Sequence, residues 1–454
     1  MQRKYFLLFF FLFSECKQAT ETPSTPTLTV AINKELPNYF TVNGTPTLLL
    51  GGSNNDNIFQ DHPIEPQLDT LIAYGGNYIR CTLSSRDFAN QWPYQQRGDA
   101  LYDLNIFSEA YWSRLDKFFK LTQEKGIIVQ LEIWDTRDYK QVNNWAKHPF
   151  NPYYNVNFTE ETSGLPVDIT DTSSHPFFET VPTLDNNQLV LSFQEKLIEK
   201  LLSHTFKYNH ILYCINNEFT GNEAWSSYWA KFIKQQAEKA NHSILLTDMF
   251  GDLEQTMPSQ LQILKNTNFD FADVSMQSIL KGETFFQYIA SLANSLGNRP
   301  ITLVKVYGGE QNDFTGTFED GPERFWKSIF GGAAAIRFHQ PPQGAGLNRL
   351  AQVNIKSLRM LSDSVNFFEL EPMNESLIDR QENEVFALGN TKAYLLYYPG
   401  CGEVNLALET KKVQVKWLNI LNAKWEESYQ IDVDSTITLK SPCEGKWAAW
   451  VKVL

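Results

Sequence analysis

Cysteine is scarce in this chain, with five in 454 residues. Cys16 lies in the leading segment, and Cys81, Cys214, Cys401 and Cys443 are far apart, too sparse a set for disulfides to replace a hydrophobic core. Cys81 and Cys214 fall on apolar runs and read as buried thiols, whereas Cys401 and Cys443 lie near strand ends where an exported protein could bridge them. No Cys/His spacing suits a metal ion and no glycine-rich loop suits a phosphate; Gly308-Gly309 and Gly331-Gly332 read as turns, so neither metal nor cofactor is expected. Clustered positive charge is also missing. The net charge is −13 and the pI about 5.1, which argues against a nucleic-acid partner. What the chain does have is aromatic side chains, 14% of all residues, enough to fill a core and still line a sugar-stacking surface.

No apolar run is long enough to span a bilayer either. Gln2-Arg3-Lys4 followed by the short apolar stretch Tyr5 to Phe13 reads as a signal peptide over residues 1–15. A Thr/Pro/Ser-rich tether follows over residues 16–29. The end of the leader resembles the bacterial lipoprotein signal, whose cysteine is lipidated, although Glu15 stands where that signal has a small residue. The resemblance implies an exported protein held to a membrane through lipid on Cys16; without the lipid it would be secreted.

Beyond the tether, short apolar runs alternate with amphipathic ones. Strands are predicted at Leu48 to Gly52, Asn77 to Thr82, Ile127 to Ile133, Ile211 to Ile215, Ile244 to Thr247, Phe271 to Met276, Ile301 to Tyr307 and Ala333 to Phe338. Eight strands with intervening helices predict a (β/α)8 barrel over residues 30–365. Tyr111, Trp112, Leu115, Phe118, Phe119 and Leu121 share a helical face, Leu189, Phe193, Leu197 and Leu201 another, and Gly126 marks a helix stop. Asn43-Gly44 predicts a hairpin turn beneath the barrel floor. From residue 366 the strands come close together with no long helix between them, which predicts an all-β sandwich over 366–454 packed on the barrel.

The most informative segment is Ile211-Leu212-Tyr213-Cys214-Ile215-Asn216-Asn217-Glu218-Phe219, an apolar strand closed by Asn217-Glu218 at the barrel end that carries chemistry. Glu218 reads either as a general acid or as a cap on the helix that begins near Glu223. The segment resembles the clan-A glycoside hydrolases, in which the acid/base follows an Asn at the end of the fourth strand. Glu132-Ile133-Trp134-Asp135, His148-Pro149-Phe150-Asn151-Pro152 and the run Gly331 to Pro341 resemble barrel proteins joined to a domain named for collagen binding in collagenases; no collagen binding is inferred from that label. The resemblance implies a carbohydrate substrate and a nucleophilic Glu at the end of the seventh strand. Here that strand reads Thr302-Leu303-Val304-Lys305-Val306-Tyr307-Gly308, with Lys305 in the place of an acid.

Glycoside hydrolysis uses two carboxyl groups, so the second must come from elsewhere. Asp135 is preferred, then Glu310, each of which could equally serve an ion pair or a loop cap. Glu132 and Asp248 are further strand-end acids, and Asp273 is expected to pair with Lys305 in the lumen. By alternation, Glu132 and Trp134 share one face and Asp135 the other. Arg80 and Arg337 could clamp a carboxylate or serve structural pairs, and His339 could bond a sugar hydroxyl or be a satisfied structural histidine. Asn217, Trp134, Lys305 and Tyr307 complete the expected binding set. The long connection after residue 135 carries Trp145, His148, Tyr153 and Tyr154, which would stack on sugar rings or pack the loop down. The alternative to an enzyme is a glycan-binding lipoprotein on a barrel that has lost its nucleophile.

Overall fold

The computed structural model describes residues 27–251, 257–310 and 315–454; the leader, Cys16 and most of the tether lie outside the described residues. Eight parallel strands form the central sheet: β1 (Leu49–Gly52), β2 (Tyr78–Thr82), β3 (Ile128–Asp135), β4 (Ile211–Asn217), β5 (Leu245–Thr247), β6 (Ala272–Asp273), β7 (Ile301–Val306) and β8 (Ala335–Phe338). Their order is β5-β4-β3-β2-β1-β8-β7-β6, and the seam from β5 to β6 closes through Asp270. Its backbone N–H donates to the Leu246 carbonyl at 2.8 Å, its carboxylate accepts the Leu246 N–H at 2.9 Å, and Thr247 Oγ1 donates to the Phe271 carbonyl at 2.8 Å. Every residue of β2, β3 and β4 is buried, the burial expected of parallel strands covered by helices outside and side chains inside.

The helices of the outer ring are α1 (Glu65–Ala73), α2 (Glu109–Glu124), α3 (Gln188–Thr205), α4 (Glu223–Lys239), α5 (Met257–Leu264), α6 (Gly282–Leu296), α7 (Asp320–Phe330) and α8 (Arg349–Ser362). Local signals set their ends. Ser108 caps α2 by accepting the Tyr111 N–H, and Gly126 just beyond takes φ +72°, a conformation that favours glycine. The apolar face of α3 runs through Val190, Phe193, Leu197 and Leu201, while the predicted Leu189 is exposed; the stripe drifts by one position because 3.6 residues per turn do not keep a strict four-residue spacing. Below the barrel, Phe40–Val42 pairs with Val30–Ile32 and Thr45–Pro46, turning on Asn43 and Gly44, both at positive φ. Phe40 meets Phe271 edge-on at 5.8 Å and the Val30 N–H donates to Asn209, which puts the hairpin at the amino ends of the strands.

The C-terminal residues form two antiparallel sheets. The larger contains Phe386–Gly389, Ala393–Tyr398, Trp447–Val453 and Lys412–Asn419 in that order, and in the smaller Glu403–Ala407 lies between Leu377–Ile378 and Thr436–Lys440. Alternation divides the larger sheet between two cores: Leu396, Tyr398, Val413, Val415 and Val451 face the smaller sheet, while Phe386, Leu395, Tyr397 and Ala448 join the barrel's apolar cluster. Tyr397 stacks on Trp326 of α7 at 5.2 Å, and Arg380 pairs with Glu283 of α6 at 2.5 Å. Trp417 and Trp447 fill the sandwich core, and Trp425 and Trp450 pack on the barrel side. Cys401 and Cys443 are disulfide-bonded; Cys81 and Cys214 are buried free thiols.

Candidate active site

Glu218 follows β4 with φ +56°, a left-handed conformation that costs a non-glycine residue about 1–3 kcal/mol and persists only where its surroundings enforce it. They do so on both sides. The Phe219 N–H donates to the Met249 carbonyl at 2.9 Å and the Gly251 N–H to the Phe219 carbonyl at 2.7 Å, so the chain re-pairs immediately after the kink. Thr136 Oγ1 donates to the carbonyls of Asn217 at 2.7 Å and Glu218 at 3.1 Å. Gly251 is needed for this fit, because a Cβ there would lie 2.7 Å from the Glu218 carbonyl oxygen. Helix α4 is capped by Asn222, which accepts the Ala224 N–H at 3.0 Å. Glu218 therefore does not serve as the cap, and its side chain, 24% exposed, lines a cleft of about 460 Å³ at the carboxyl ends of the strands.

Lys305, on β7, reaches across the lumen and donates to Glu218 Oε1 at 2.5 Å and Asn217 Oδ1 at 2.6 Å. Asp273 takes its hydrogen bonds from Gln130 at 2.6 Å, Thr302 at 3.2 Å and the Ser275 N–H at 2.9 Å; the lysine expected to pair with it is aimed one layer higher. Burial resists ionisation of Glu218, but the Lys305 ammonium outweighs it and holds the carboxyl below its usual range. Lys305→Met removes the cation and leaves the burial, so the Glu218 pKa should rise. Titration of carboxyl-labelled glutamate by NMR should show a signal moving to higher pH in the variant; an unchanged set of Glu titrations would mean that the ion pair does not control Glu218.

A charged layer lies beneath. Arg80 donates to both oxygens of Glu132 at 2.6 Å and pairs with Asp56 on its other side. Burial pushes Glu132 up to about 7 while the Arg80 fork pulls it down. Arg337 donates to Ser53 Oγ and, at 2.7 Å, to the Val304 carbonyl, with its Nη2 3.8 Å from Asp56. His339 stands edge-on to Tyr307 at 5.0 Å with Nδ1 3.9 Å from Asp56, and burial keeps its imidazole neutral. Arg80 and Arg337 are fully buried; Asn217, Tyr307 and His339 line the cleft with Glu218.

Other expected residues lie elsewhere. Asp135 is 2% exposed and committed, accepting from Arg86 at 2.5 Å and capping the Arg137 N–H at 3.1 Å. Glu310 is exposed and does not line the cleft. Glu132 and Trp134 do not share a face. Glu132 faces the charged lumen while Trp134 packs among Phe177, Trp225 and Trp229, because alternation lapses as β3 ends. Trp145 and His148 are buried in the long loop's own aromatic core, with Trp145 Nε1 bonded to the Pro166 carbonyl at 2.8 Å. Tyr153 is exposed, with Tyr154 half-buried against it. The Asp248 carboxylate accepts from the Asn216 backbone N–H at 3.0 Å and from Asn216 Nδ2 at 2.9 Å, holding the strand just before the Asn217-Glu218 pair. Asp56 is the cleft carboxylate that the sequence reading missed; its signal is an acid four residues past the end of a barrel strand, inside the polar run Ser53-Asn54-Asn55-Asp56-Asn57.

No protein-family model matches the chain, and neither does any curated protein. Solved structures do. A glycoside hydrolase of family 5 from Bacteroides vulgatus superposes with a TM-score of 0.63 at 13% identity, covering 94% of this chain and 93% of that one. A second glycoside hydrolase superposes at 0.60 with 14% identity over 94% and 97%. The endo-1,4-β-mannanase of Rhizomucor miehei reaches 0.51 at 14% identity, covering 75% of this chain and all of that one. At such identities the likeness speaks to architecture: the chain has the (β/α)8 fold of these glycoside hydrolases, followed by a C-terminal β domain.

Proposed function

We propose that the protein is an exported glycoside hydrolase acting on an oligo- or polysaccharide, with Glu218 protonating the departing oxygen. The observation that carries this reading is the enforced left-handed turn that sets Glu218, beside Asn217, into a cleft at the catalytic end of the barrel. Proton donation requires a neutral carboxyl. A sugar ring entering the cleft would part Glu218 from Lys305 and exclude water, and burial alone raises a carboxyl's pKa.

The ion pair itself favours a second reading, in which the barrel binds glycans without cleaving them. Incubation of the purified protein with plant and host glycans, followed by product chromatography and binding calorimetry, separates the two. Released sugar supports the hydrolase, binding without product supports the binder, and neither result on any glycan refutes both. The leader supports export with lipid on Cys16; on that reading the precursor fractionates with membranes and Cys16→Ser moves it to the soluble fraction, and a wild-type protein already soluble refutes the anchor.

A further inference from the structure

Asp56 lines the same cleft as Glu218 and has no role in the chemistry so far. The loop that carries it is tied down at almost every residue. Ser53 Oγ accepts from Arg337, Asn54 Oδ1 accepts the Leu347 N–H at 2.9 Å, and Asn57 Nδ2 donates to Asp87 at 2.9 Å. The Asp56 carbonyl accepts the Thr82 N–H at 2.8 Å and its Oδ2 accepts from Gln340 at 3.0 Å. Such anchoring fixes one side chain in one position, as a reacting group requires.

Asp56 shares the charge balance of the lumen with Glu132. Arg80 donates two hydrogen bonds to Glu132 and pairs with Asp56 as well, while Arg337, whose hydrogen bonds go to the neutral acceptors Ser53 Oγ and the Val304 carbonyl, has Asp56 3.8 Å away. Burial opposes ionisation of Asp56, and the Arg80 and Arg337 cations overcome it and hold the carboxyl far below the usual range. Asp135 and Glu310 do not line the cleft, whereas Asp56 does.

We infer that Asp56 is the nucleophile of the hydrolase, supplying from the loop after β1 the carboxylate that Lys305 displaces from the end of β7. The inference rests on the hydrolase reading. An ionised carboxylate fixed in the cleft is the species that attack on the anomeric carbon requires. In the first displacement an Asp56 oxygen bonds the anomeric carbon while the glycosidic C–O bond breaks, its electron pair going to the leaving oxygen, which takes the proton of Glu218. In the second, Glu218, now ionised, removes a proton from water as the water oxygen bonds the same carbon. The ester bond breaks and its electron pair returns to Asp56. One water is consumed, Glu218 ends protonated, and the anomeric configuration is retained. Once the leaving group has departed, the Lys305 ion pair can re-form and stabilise the ionised Glu218 of the intermediate.

The test uses the wild-type protein and the sugar it releases fastest from a panel of nitrophenyl glycosides and natural glycans. The corresponding glycosyl fluoride, carrying a second fluorine beside the anomeric carbon, slows breakdown of the ester and traps it. Peptide mass spectrometry should find the sugar on Asp56, and NMR of the first-formed product should show retention. Asp56→Asn should lose turnover by about 10³-fold or more, with azide restoring part of it as a glycosyl azide, which a merely structural loss would not allow. Label on another residue, an inverted product, or an Asp56→Asn rate within a few-fold of wild type overturns the assignment while leaving the hydrolase standing. No hydrolysis by wild type on any substrate overturns both.

Discussion

Glu218→Gln should lower the rate on any glycan that the wild type cleaves by about 10²-fold or more and leave the fold intact. The amide carbonyl can still accept from Lys305 Nζ, which reaches the carboxylate at 2.5 Å, so the contact survives and the transferable proton is lost. The variant also leaves a buried ammonium without its counter-charge, which costs stability. Thermal unfolding must therefore accompany the kinetics, and the result counts only if the variant is folded at the assay temperature. A folded variant that cleaves at the wild-type rate removes Glu218 from the reaction.

Arg80→Met should have the largest effect on stability, a loss of about 3–5 kcal/mol at neutral pH, because breaking a buried ion pair strands the remaining charges. Arg80 is the sole residue donating to both Glu132 oxygens among the described contacts, and it also pairs with Asp56. The sign of the pH dependence follows from Glu132. Its folded pKa, about 7, is already above the ordinary 4.5, and loss of the cation raises it further. The folded variant then binds more protons than the unfolded chain from about pH 4.5 upward, so its stability falls as pH rises through that window. Urea unfolding at about pH 5 and pH 8 should show the smaller deficit at the lower pH, where the neutral acid is tolerated. Equal midpoints for variant and wild type would mean that the lumen charges are solvated after all.

The barrel was legible because its signal is local. A strand such as Ile211 to Ile215 is apolar throughout and too short for a helix, and each of the eight predicted runs overlaps a strand of the central sheet, although the sixth keeps only Ala272–Asp273 before Ser275–Ile279 winds into a 3-10 helix. The place of Glu218 at the mouth of the cleft was legible for the same reason, because the strand end that carries it is visible in the sequence. Trp145 and His148 were harder, since an aromatic in a long loop has the same local signature whether it faces a sugar or, as here, the loop's own core. The partner of Lys305 depends on how far a side chain rises across the lumen, and strand alternation specifies the face but not the height. Asp56 carries no local signal among its polar neighbours, because the bonds that hold its loop come from Thr82, Arg337, Gln340 and Leu347, distant in the chain.

The stack of Tyr397 on Trp326 has a consequence for how such a chain can diversify. One continuous apolar cluster runs from the barrel into the larger C-terminal sheet, taking in Phe386, Leu395 and Tyr397. Parts that share a core cannot be traded like beads on a string, since cutting between them uncovers greasy surface on both pieces. A lineage carrying this arrangement would inherit barrel and sandwich together, and new specificities would arise in the loops above the strands while the underside of the partnership stayed fixed.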